Sequence, residues 1–243
     1  MTTKKMETVS TERTHERVRH MFDDIAPTYD RLNHILSLNI DRLWRRRVVR
    51  IVRRAGAKRI LDLATGTGDL AIAMARGIRD CSICGADLSP RMLAAARQKI
   101  ERMGLDERIT LTECRAEDTG LPTGSVDAAT IGFGIRNFEN REVALAELMR
   151  TIKSGGLLVI LEFSNPTNPI VGWAYRLYSH YLLPIVGGMV SHNRGAYEYL
   201  PASVDKFPEP AEFRAMLERA GFADVRSRSQ SCGIAQIYTA KRP

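Results

Sequence analysis

The chain has no long run of apolar residues. Hydrophobic residues make up 44% of its 243 positions, but the longest apolar stretch, residues 182–190, is far shorter than the ~20 residues a membrane-spanning helix needs. The opening stretch MTTKKMETVS also lacks the apolar centre of a secretory signal. These absences predict a cytoplasmic protein rather than an exported or membrane-spanning one.

Cysteine is scarce, and its four residues do not form a convincing metal or disulfide pattern. Cys81 and Cys84 have C-x-x-C spacing, but we place both on a predicted strand. Residues three apart on a strand point to opposite faces, so the two sulfur atoms could not bind one metal ion. We therefore expect reduced, mostly buried cysteines and no metal site.

Acidic residues are fewer than basic ones, 28 against 36, so the formal net charge is +8. Such a charge suits an anionic partner: a nucleic acid, an acidic substrate or a lipid surface. Seven arginines lie between Arg42 and Arg54 on a predicted helix. They could bind nucleic acid, dock on an anionic bilayer or form a solvated helix face. Without interleaved aromatics or a recognisable nucleic-acid module, we expect no nucleic-acid partner.

Strand and helix signals alternate regularly from residue 57 onward. Predicted strands cover residues 60–63, 82–87, 109–113, 126–133, 157–163, 222–229 and 234–240. Predicted helices cover residues 69–76, 89–104, 141–152 and 209–220, and Ser89 followed by Pro90 is a typical N-terminal cap. The alternation predicts an α/β fold with a seven-stranded, mostly parallel sheet, helices on both faces and an antiparallel last strand.

Two segments fall outside this alternation. Before it, residues 1–13 read as a disordered tail and residues 14–56 as a helical cap, whose last helix, 41–55, has an apolar stripe of Trp44, Val48, Ile51, Val52 and Ala55. Within the core of residues 57–243, an insertion spans residues 164–206. We interpret the insertion as an aromatic lid over an apolar ligand; an added subdomain or homodimer surface is the alternative. Its aromatic residues are Trp173, Tyr175, Tyr178, Tyr181, Tyr197 and Tyr199.

The sequence RILDLATGTGDL, residues 59–70, runs from a strand through a glycine-rich turn into a helix. Gly66 and Gly68 permit a close ligand approach, and the first N–H groups of the helix face the ligand. The spacing also fits a dinucleotide fingerprint, which leaves a nicotinamide-dependent oxidoreductase as an alternative. Asp62 would repel a pyrophosphate but suits the cationic end of S-adenosylmethionine, so we predict Asp62, Gly66, Thr67 and Gly68 at that cofactor.

Other candidate residues follow the later strands. Asp87 ends the second strand, where an acidic side chain can bind both ribose hydroxyls. Arg115 and Ala116 follow the third strand and fit an adenine edge. Phe133 and Gly134 end the fourth strand, where the transferred group would lie.

Five stretches resemble the ubiquinone/menaquinone biosynthesis C-methyltransferases, and the resemblance covers essentially the whole chain after residue 14. They are residues 22–46, 61–69, 132–138 (GFGIRNF), 152–164 (IKSGGLLVILEFS) and 197–208. The chain departs from the family pattern at Asn39 and Asp41, usually Gly and His, at Ser154, usually Pro, and at Arg115, often Asn. The resemblance implies a Rossmann-like class I methyltransferase fold that uses S-adenosylmethionine.

The resemblance further implies methylation of a ring carbon of a polyprenylated, lipid-soluble quinol, with 2-demethylmenaquinol giving menaquinol. Arg136 and Asn137 would then stabilise the developing phenolate, and Tyr29 would close over them. His34, His180 and His192 are alternative bases. A transient contact with the inner face of an anionic membrane is a further expectation.

Alternative functions are a methyltransferase for another small molecule or nucleic acid, and a non-catalytic protein that binds membrane surfaces.

Overall fold

The computed structural model describes residues 16, 19–26, 29–30, 34, 37, 39–166, 168–169, 172–173, 177 and 194–243, with side chains of residues 194–198 excepted. Within these ranges the chain forms the predicted α/β fold. Residues 19–25 are helical and form the N-terminal helical segment. The strands are β1 Arg59–Leu63, β2 Ser82–Asp87, β3 Ile109–Glu113, β4 Val126–Gly132, β5 Ile152–Phe163, β6 Ala223–Gln230 and β7 Ala235–Lys241. The helices are α1 Ile40–Arg54, α2 Asp69–Gly77, α3 Pro90–Arg102, α4 Arg141–Thr151, α5 Arg194–Asp205 and α6 Pro210–Arg219.

The seven strands form one sheet in the order β3-β2-β1-β4-β5-β7-β6. All neighbouring pairs up to β5 are parallel, whereas β7 runs antiparallel to both β5 and β6. The order reverses between β1 and β4, which leaves a crevice at the carboxyl ends of the strands. The predicted sheet and its antiparallel last strand are confirmed.

A hydrophobic core covers each face of the sheet. Ile60 of β1 packs with α1, α2 and α3, whereas its neighbour Leu61 packs with α4 and α6, because successive strand residues face opposite sides. On the first face, Trp44 of α1 lies against Phe133 and Phe163. Helix α1 is thereby anchored beside the end of β4.

Several local predictions are wrong in detail. Strand β5 begins at Ile152 rather than at residue 157, because α4 already ends at Thr151 and Ile152 pairs with Val126. Ala55 is exposed and does not belong to the buried stripe of α1. All four cysteines are free, but only Cys81 is buried, and it lies just before β2 rather than on it.

Candidate active site

The glycine-rich turn joins β1 to α2 in a backbone shape that favours glycine. Gly66 and Gly68 have φ angles of +57° and +81°, in the left-handed region. A Cβ atom on Gly68 would lie 3.3 Å from the Cβ of Ala96, so this glycine also lets α3 pack closely. A Cβ atom on Gly66 would meet nothing within 4 Å. The turn thus presents open backbone to the crevice.

Asp87 lies beside this turn at the end of β2. One carboxylate oxygen accepts the Gly66 N–H at 2.7 Å, and the other accepts the Ser89 N–H at 2.9 Å. Burial raises the pKa of Asp87, although hydrogen bonds from backbone amides oppose this effect. The carboxylate links two loops and still lines the cleft.

The cleft at this edge encloses about 860 Å³, a volume that includes its open mouth. Three parts of the chain line it. The strand ends and loops of β1 to β3 contribute Gly66, Asp87, Arg115 and Ala116. The segment after β4 contributes Phe133, Gly134, Asn137 and Phe138, and the N-terminal part contributes Arg19, Phe22 and Tyr29.

Asp62 does not line this cleft. It is 1% exposed, and its oxygens accept the hydroxyls of Thr65 at 2.7 Å and Thr130 at 2.6 Å. Burial raises its pKa to about 6. Asp62 therefore lies beneath the glycine-rich turn, where it holds the turn in place.

Thr67 does not line the cleft either. Its hydroxyl donates to Asp30, which Lys99 of α3 contacts at 2.6 Å. Lys99 also donates to Asp69, at the first turn of α2, at 2.5 Å. We call Asp30, Thr67, Asp69 and Lys99 the polar latch, because they connect the N-terminal part of the chain to the glycine-rich turn.

A second group of charges adjoins the polar latch. His34, Asp41 and Asp69 place potential ligand atoms within 4.8 Å of one another, close enough to surround a metal ion. Arg45, however, already pairs with Asp41 and lies 3.5 Å from Asp69. These carboxylates are therefore balanced by protein cations. His34, one of the alternative bases, belongs to this group, whereas His180 and His192 lie outside the described residues.

Arg115 is half-exposed and bridges two acidic residues of the cleft wall. Its guanidinium lies 2.5 Å from Glu139 and 3.6 Å from Glu117. The ion pair with Glu139 connects the loop after β3 to the loop after β4. Ala116 lines the cleft beside it.

Arg136 has a different environment from the one predicted for it. Its guanidinium is buried and donates to Glu162 at 2.8 Å, to the Phe133 carbonyl and to Ser203 at 3.3 Å. Although burial acts to lower it, the Glu162 carboxylate raises the pKa of Arg136, so the side chain stays charged. Arg136 does not line the cleft and forms instead a buried ion pair behind its wall.

Asn137 and Tyr29 do line the cleft. The Asn137 side-chain oxygen accepts the Tyr199 hydroxyl at 3.0 Å, and Tyr29 packs edge-on against Phe22 with ring centres 6.1 Å apart. Phe133, with an unusual φ of +60°, stacks on Phe163 at 4.4 Å. Of the predicted lid aromatics, Tyr175, Tyr178, Tyr181 and the side chain of Tyr197 lie outside what the structure describes.

Sequence reasoning missed Glu162, Arg19 and Ser203. Glu162 interrupts the apolar run LLVILEF, and a charged residue at a buried strand position signals a partner elsewhere. Arg19 lines the cleft with a buried Nε that has no hydrogen-bond partner within the described structure. No local signal pointed to Ser203, because its contact depends on how α5 packs.

The sheet order, with β7 antiparallel between β5 and β6, and the glycine-rich turn after β1 are those of a Rossmann-like class I methyltransferase fold. Solved structures with this fold include a SAM-dependent methyltransferase from Aquifex aeolicus, with 18% identity, a TM-score of 0.56, and coverage of 80% of this chain and 88% of that one. The [4+2]-cyclase SpnF shares it with 17% identity, a TM-score of 0.66, and coverage of 93% and 95%. These likenesses establish the fold alone.

The chain belongs to the ubiE/COQ5 methyltransferase family, whose family model matches residues 9–242. It is 48% identical over 224 residues to the ubiquinone/menaquinone biosynthesis C-methyltransferase UbiE of Syntrophotalea carbinolica, covering 92% of this chain and 93% of that protein. It is 47% identical to the demethylmenaquinone methyltransferase of Thermus thermophilus, covering 92% and 100%. The family membership decides for an S-adenosylmethionine-dependent C-methyltransferase and against an oxidoreductase.

Proposed function

We propose that this enzyme methylates a ring carbon of a polyprenylated quinol, with 2-demethylmenaquinol as the favoured substrate and menaquinol as the product. The names of the two relatives support this substrate class. The observation that carries the proposal is the single cleft that Asp87 and Gly66 share with Phe133, Asn137 and Tyr29. A polar cofactor end and an aromatic substrate end would thus meet in one space.

The donor side of the cleft suits S-adenosylmethionine. Asp87 would bind the ribose hydroxyls, Gly66 would let the ligand approach its backbone, and Arg115 and Ala116 would border the adenine. We assign Asp62, Thr67 and Gly68 to holding the glycine-rich turn in shape rather than to direct contact. Once bound, S-adenosylmethionine supplies a methyl group as its S–C bond breaks and S-adenosylhomocysteine leaves.

On the acceptor side, the quinol must lose a hydroxyl proton so that the adjacent ring carbon becomes nucleophilic. The same carbon later loses its own hydrogen as a proton, which restores the aromatic ring. Asn137 can donate its amide N–H groups to the developing phenolate, and Tyr29 can order the ring beside Phe22. Arg136 lies behind this wall, so we propose that its charge acts on the phenolate through the protein rather than by direct contact.

The remaining parts of the chain have proposed roles in substrate access. We propose that residues 14–56 cap the cleft and that residues 164–206 form its lid. The predicted tail, residues 1–13, lies outside the described residues. The exposed side chains of Trp173 and Leu177 give the described part of the lid an apolar surface. This surface would meet the lipid in which a polyprenylated quinol dissolves, and a homodimer contact is the alternative.

A membrane contact would also use α1. Its residues Arg42, Arg46 and Arg50 are four positions apart, share one face and are exposed, and the apolar Leu43 beside them is 44% exposed. Basic and apolar groups on one helix face suit the surface of an anionic bilayer. Among the described helices, none is long and apolar enough to span a membrane. We therefore propose a cytoplasmic enzyme that binds the inner face of the cytoplasmic membrane peripherally.

The substrate is tested by direct methyl transfer. Purified enzyme is incubated anaerobically with S-adenosylmethionine and short-tailed 2-demethylmenaquinol, and in parallel with the matching benzoquinol. We expect the naphthoquinol to gain one methyl group on its ring carbon, identified by mass spectrometry and NMR. Methylation of neither quinol would contradict the proposed function, and faster turnover of the benzoquinol would reverse the proposed preference.

A further inference from the structure

Glu162 is a fully buried carboxylate directly beneath the wall of the cleft. It lies near the end of β5 and is 0% exposed. One oxygen accepts Arg136 Nη1 at 2.8 Å and the Phe163 N–H at 2.9 Å, and the other accepts the Arg136 backbone N–H at 3.2 Å. One carboxylate therefore binds both the side chain and the backbone of Arg136.

The residue held in this way belongs to the short helical turn Ile135–Asn137 that follows β4. Arg141 fixes the same turn from α4, since its guanidinium donates to the carbonyls of Ile135 at 3.2 Å and Arg136 at 2.9 Å. The turn is thus tied to β5 on one side and to α4 on the other.

The turn ends at Asn137, which faces the cleft. Its neighbour in sequence is anchored by Glu162, and its side chain is oriented by the hydroxyl of Tyr199. Burial raises the pKa of that tyrosine, which keeps its hydroxyl protonated as the donor. The Asn137 side-chain oxygen is therefore occupied, and its amide N–H groups are left to point toward a ligand oxygen.

We propose that Glu162 is a positioning residue for methyl transfer, which acts through the Ile135–Asn137 turn to hold the Asn137 amide at the cleft wall. This inference rests on the proposed function. It assigns Glu162 no contact with the substrate.

The central test is Glu162→Gln. The glutamine has the same size, but its NH₂ group cannot accept the N–H groups that one carboxylate oxygen now binds. We expect kcat to fall about 10- to 100-fold as Asn137 is misplaced, while the quinol KM and the Kd for S-adenosylhomocysteine change by less than about twofold. Glu147→Gln is the matched control, because Glu147 is also buried and paired with an arginine, Arg150, but does not line the cleft, and its carboxylate binds Arg150 and Thr119 rather than the Ile135–Asn137 turn.

A double-mutant comparison distinguishes a positioning role of Glu162 from a general loss of structure. If Glu162 acts through Asn137, Glu162→Gln should cost little further kcat in an Asn137→Ala background. Fully additive effects, or a folded Glu162→Gln enzyme with normal kcat, would overturn the proposal. Should this variant fail to fold, Ser203→Ala loosens the other end of Arg136 and should lower kcat in the same way; a normal kcat there would also overturn it.

A measurement that does not depend on methyl transfer tests the positioning role of Glu162 separately from the proposed quinol substrate. The side-chain amide signal of Asn137 is identified by ¹⁵N NMR from its loss in Asn137→Ala. Glu162→Gln should shift or broaden that signal, and Glu147→Gln should not. An unchanged signal would refute the positioning role, whereas an inactive wild-type enzyme with a shifted signal would refute only the quinol substrate.

Discussion

Asp62 and Asp87 end neighbouring parallel strands, yet their carboxylates have different surroundings. Asp87 accepts two backbone N–H groups and borders the cleft. Asp62 lies under the glycine-rich turn and accepts two threonine hydroxyls. The difference arises from which groups the neighbouring loops bring to each strand end. At the scale of single residues, the same side chain can therefore bind a ligand or support the loop that binds it.

Replacing Asp87 with asparagine should weaken cofactor binding without unfolding the chain. A charge-assisted hydrogen bond to a ribose hydroxyl contributes roughly 1.5–3 kcal/mol, and asparagine removes the charge. Calorimetry with S-adenosylhomocysteine measures the loss. Asp80→Asn, at an exposed turn with a φ of +55° that asparagine tolerates, is the control. An unchanged affinity in the folded Asp87→Asn protein would remove Asp87 from the site.

Replacing Asp62 with asparagine should change how stability depends on pH. The pKa of Asp62 is about 6 in the folded chain and near 3.8 without burial, so the folded state binds the extra proton between these values. Stability conferred by Asp62 is therefore present below about pH 4 and falls as pH rises to about 6, by a few kcal/mol at most. Urea unfolding of wild type and Asp62→Asn at a series of pH values should show curves that diverge in this window.

Asp127 provides a control of opposite sign. Although burial acts to raise it, hydrogen bonds from Lys153 and from the Arg59 and Lys58 amides lower the pKa of Asp127 to about 2. Its contribution is complete above about pH 4 and is lost as pH falls toward 2. Asp127→Asn should thus differ from wild type by a constant amount between pH 4 and 6. Parallel curves for wild type and Asp62→Asn in that window would show that Asp62 is not titrating there.

At the scale of elements, the polar latch joins parts of the chain that the glycine-rich turn needs. Asp30 comes from the N-terminal part, Thr67 and Asp69 from the turn and the start of α2, and Lys99 from α3. The first turn of α2 is thereby bound to Lys99 of α3. The N-terminal part is held at the cleft by the same contacts, which also place Tyr29 in the wall.

Replacing Lys99 with methionine should loosen the N-terminal part and weaken cofactor binding together. The variant leaves Asp30 and Asp69 short of a cation in a half-buried site, which should cost about 1–3 kcal/mol. Hydrogen exchange should increase in residues 19–30 and in the glycine-rich turn. Lys153→Met is the control, because Lys153 pairs with Asp127 at another part of the sheet. Faster exchange confined to α3 would show that the polar latch does not hold the N-terminal part.

At the scale of the whole molecule, the arginines that contribute to the net charge of +8 differ in their exposure to solvent. Arg45 and Arg47 of α1 are partly buried and bind Asp41 and Gln230, whereas Arg42, Arg46 and Arg50 are exposed. Arg136 and Arg141 form hydrogen bonds within the protein behind the cleft wall. Arg42, Arg46 and Arg50 therefore form a group of exposed positive charges on the outer face of α1, beside its exposed Leu43.

Replacing Arg42, Arg46 and Arg50 together with glutamine should weaken binding to anionic vesicles. Each arginine near such a surface contributes ~1 kcal/mol, so the triple variant should bind roughly 100-fold more weakly at low salt. Wild-type binding should decrease with added salt, because charges are screened over ~8–10 Å. A control triple variant at the exposed Arg97, Arg102 and Arg219 has the same net charge. Equal losses in both would indicate a general charge effect rather than a docking face.

The sequence by itself determined the α/β fold and the location of the cleft. Strand periodicity, the Ser89 cap and the Gly66 and Gly68 turn act over a few residues, and each appears where it was predicted. Because parallel strands place their carboxyl ends at one edge, Asp87, Ala116 and Asn137 could be assigned to a common cleft before any coordinates. Such inferences need only local geometry and the order of elements along the chain.

Only the tertiary structure decided which of the predicted side chains face that cleft. Arg136 is bound in the interior by Glu162 and Ser203, which are 26 and 67 positions away, and Thr67 is bound by Asp30, 37 positions away. A buried charge requires a partner, and the partner comes from whichever distant element packs against it. Local sequence does not specify that packing. It could therefore locate Arg136 directly after β4, but it could not predict that the side chain is buried behind the cleft wall.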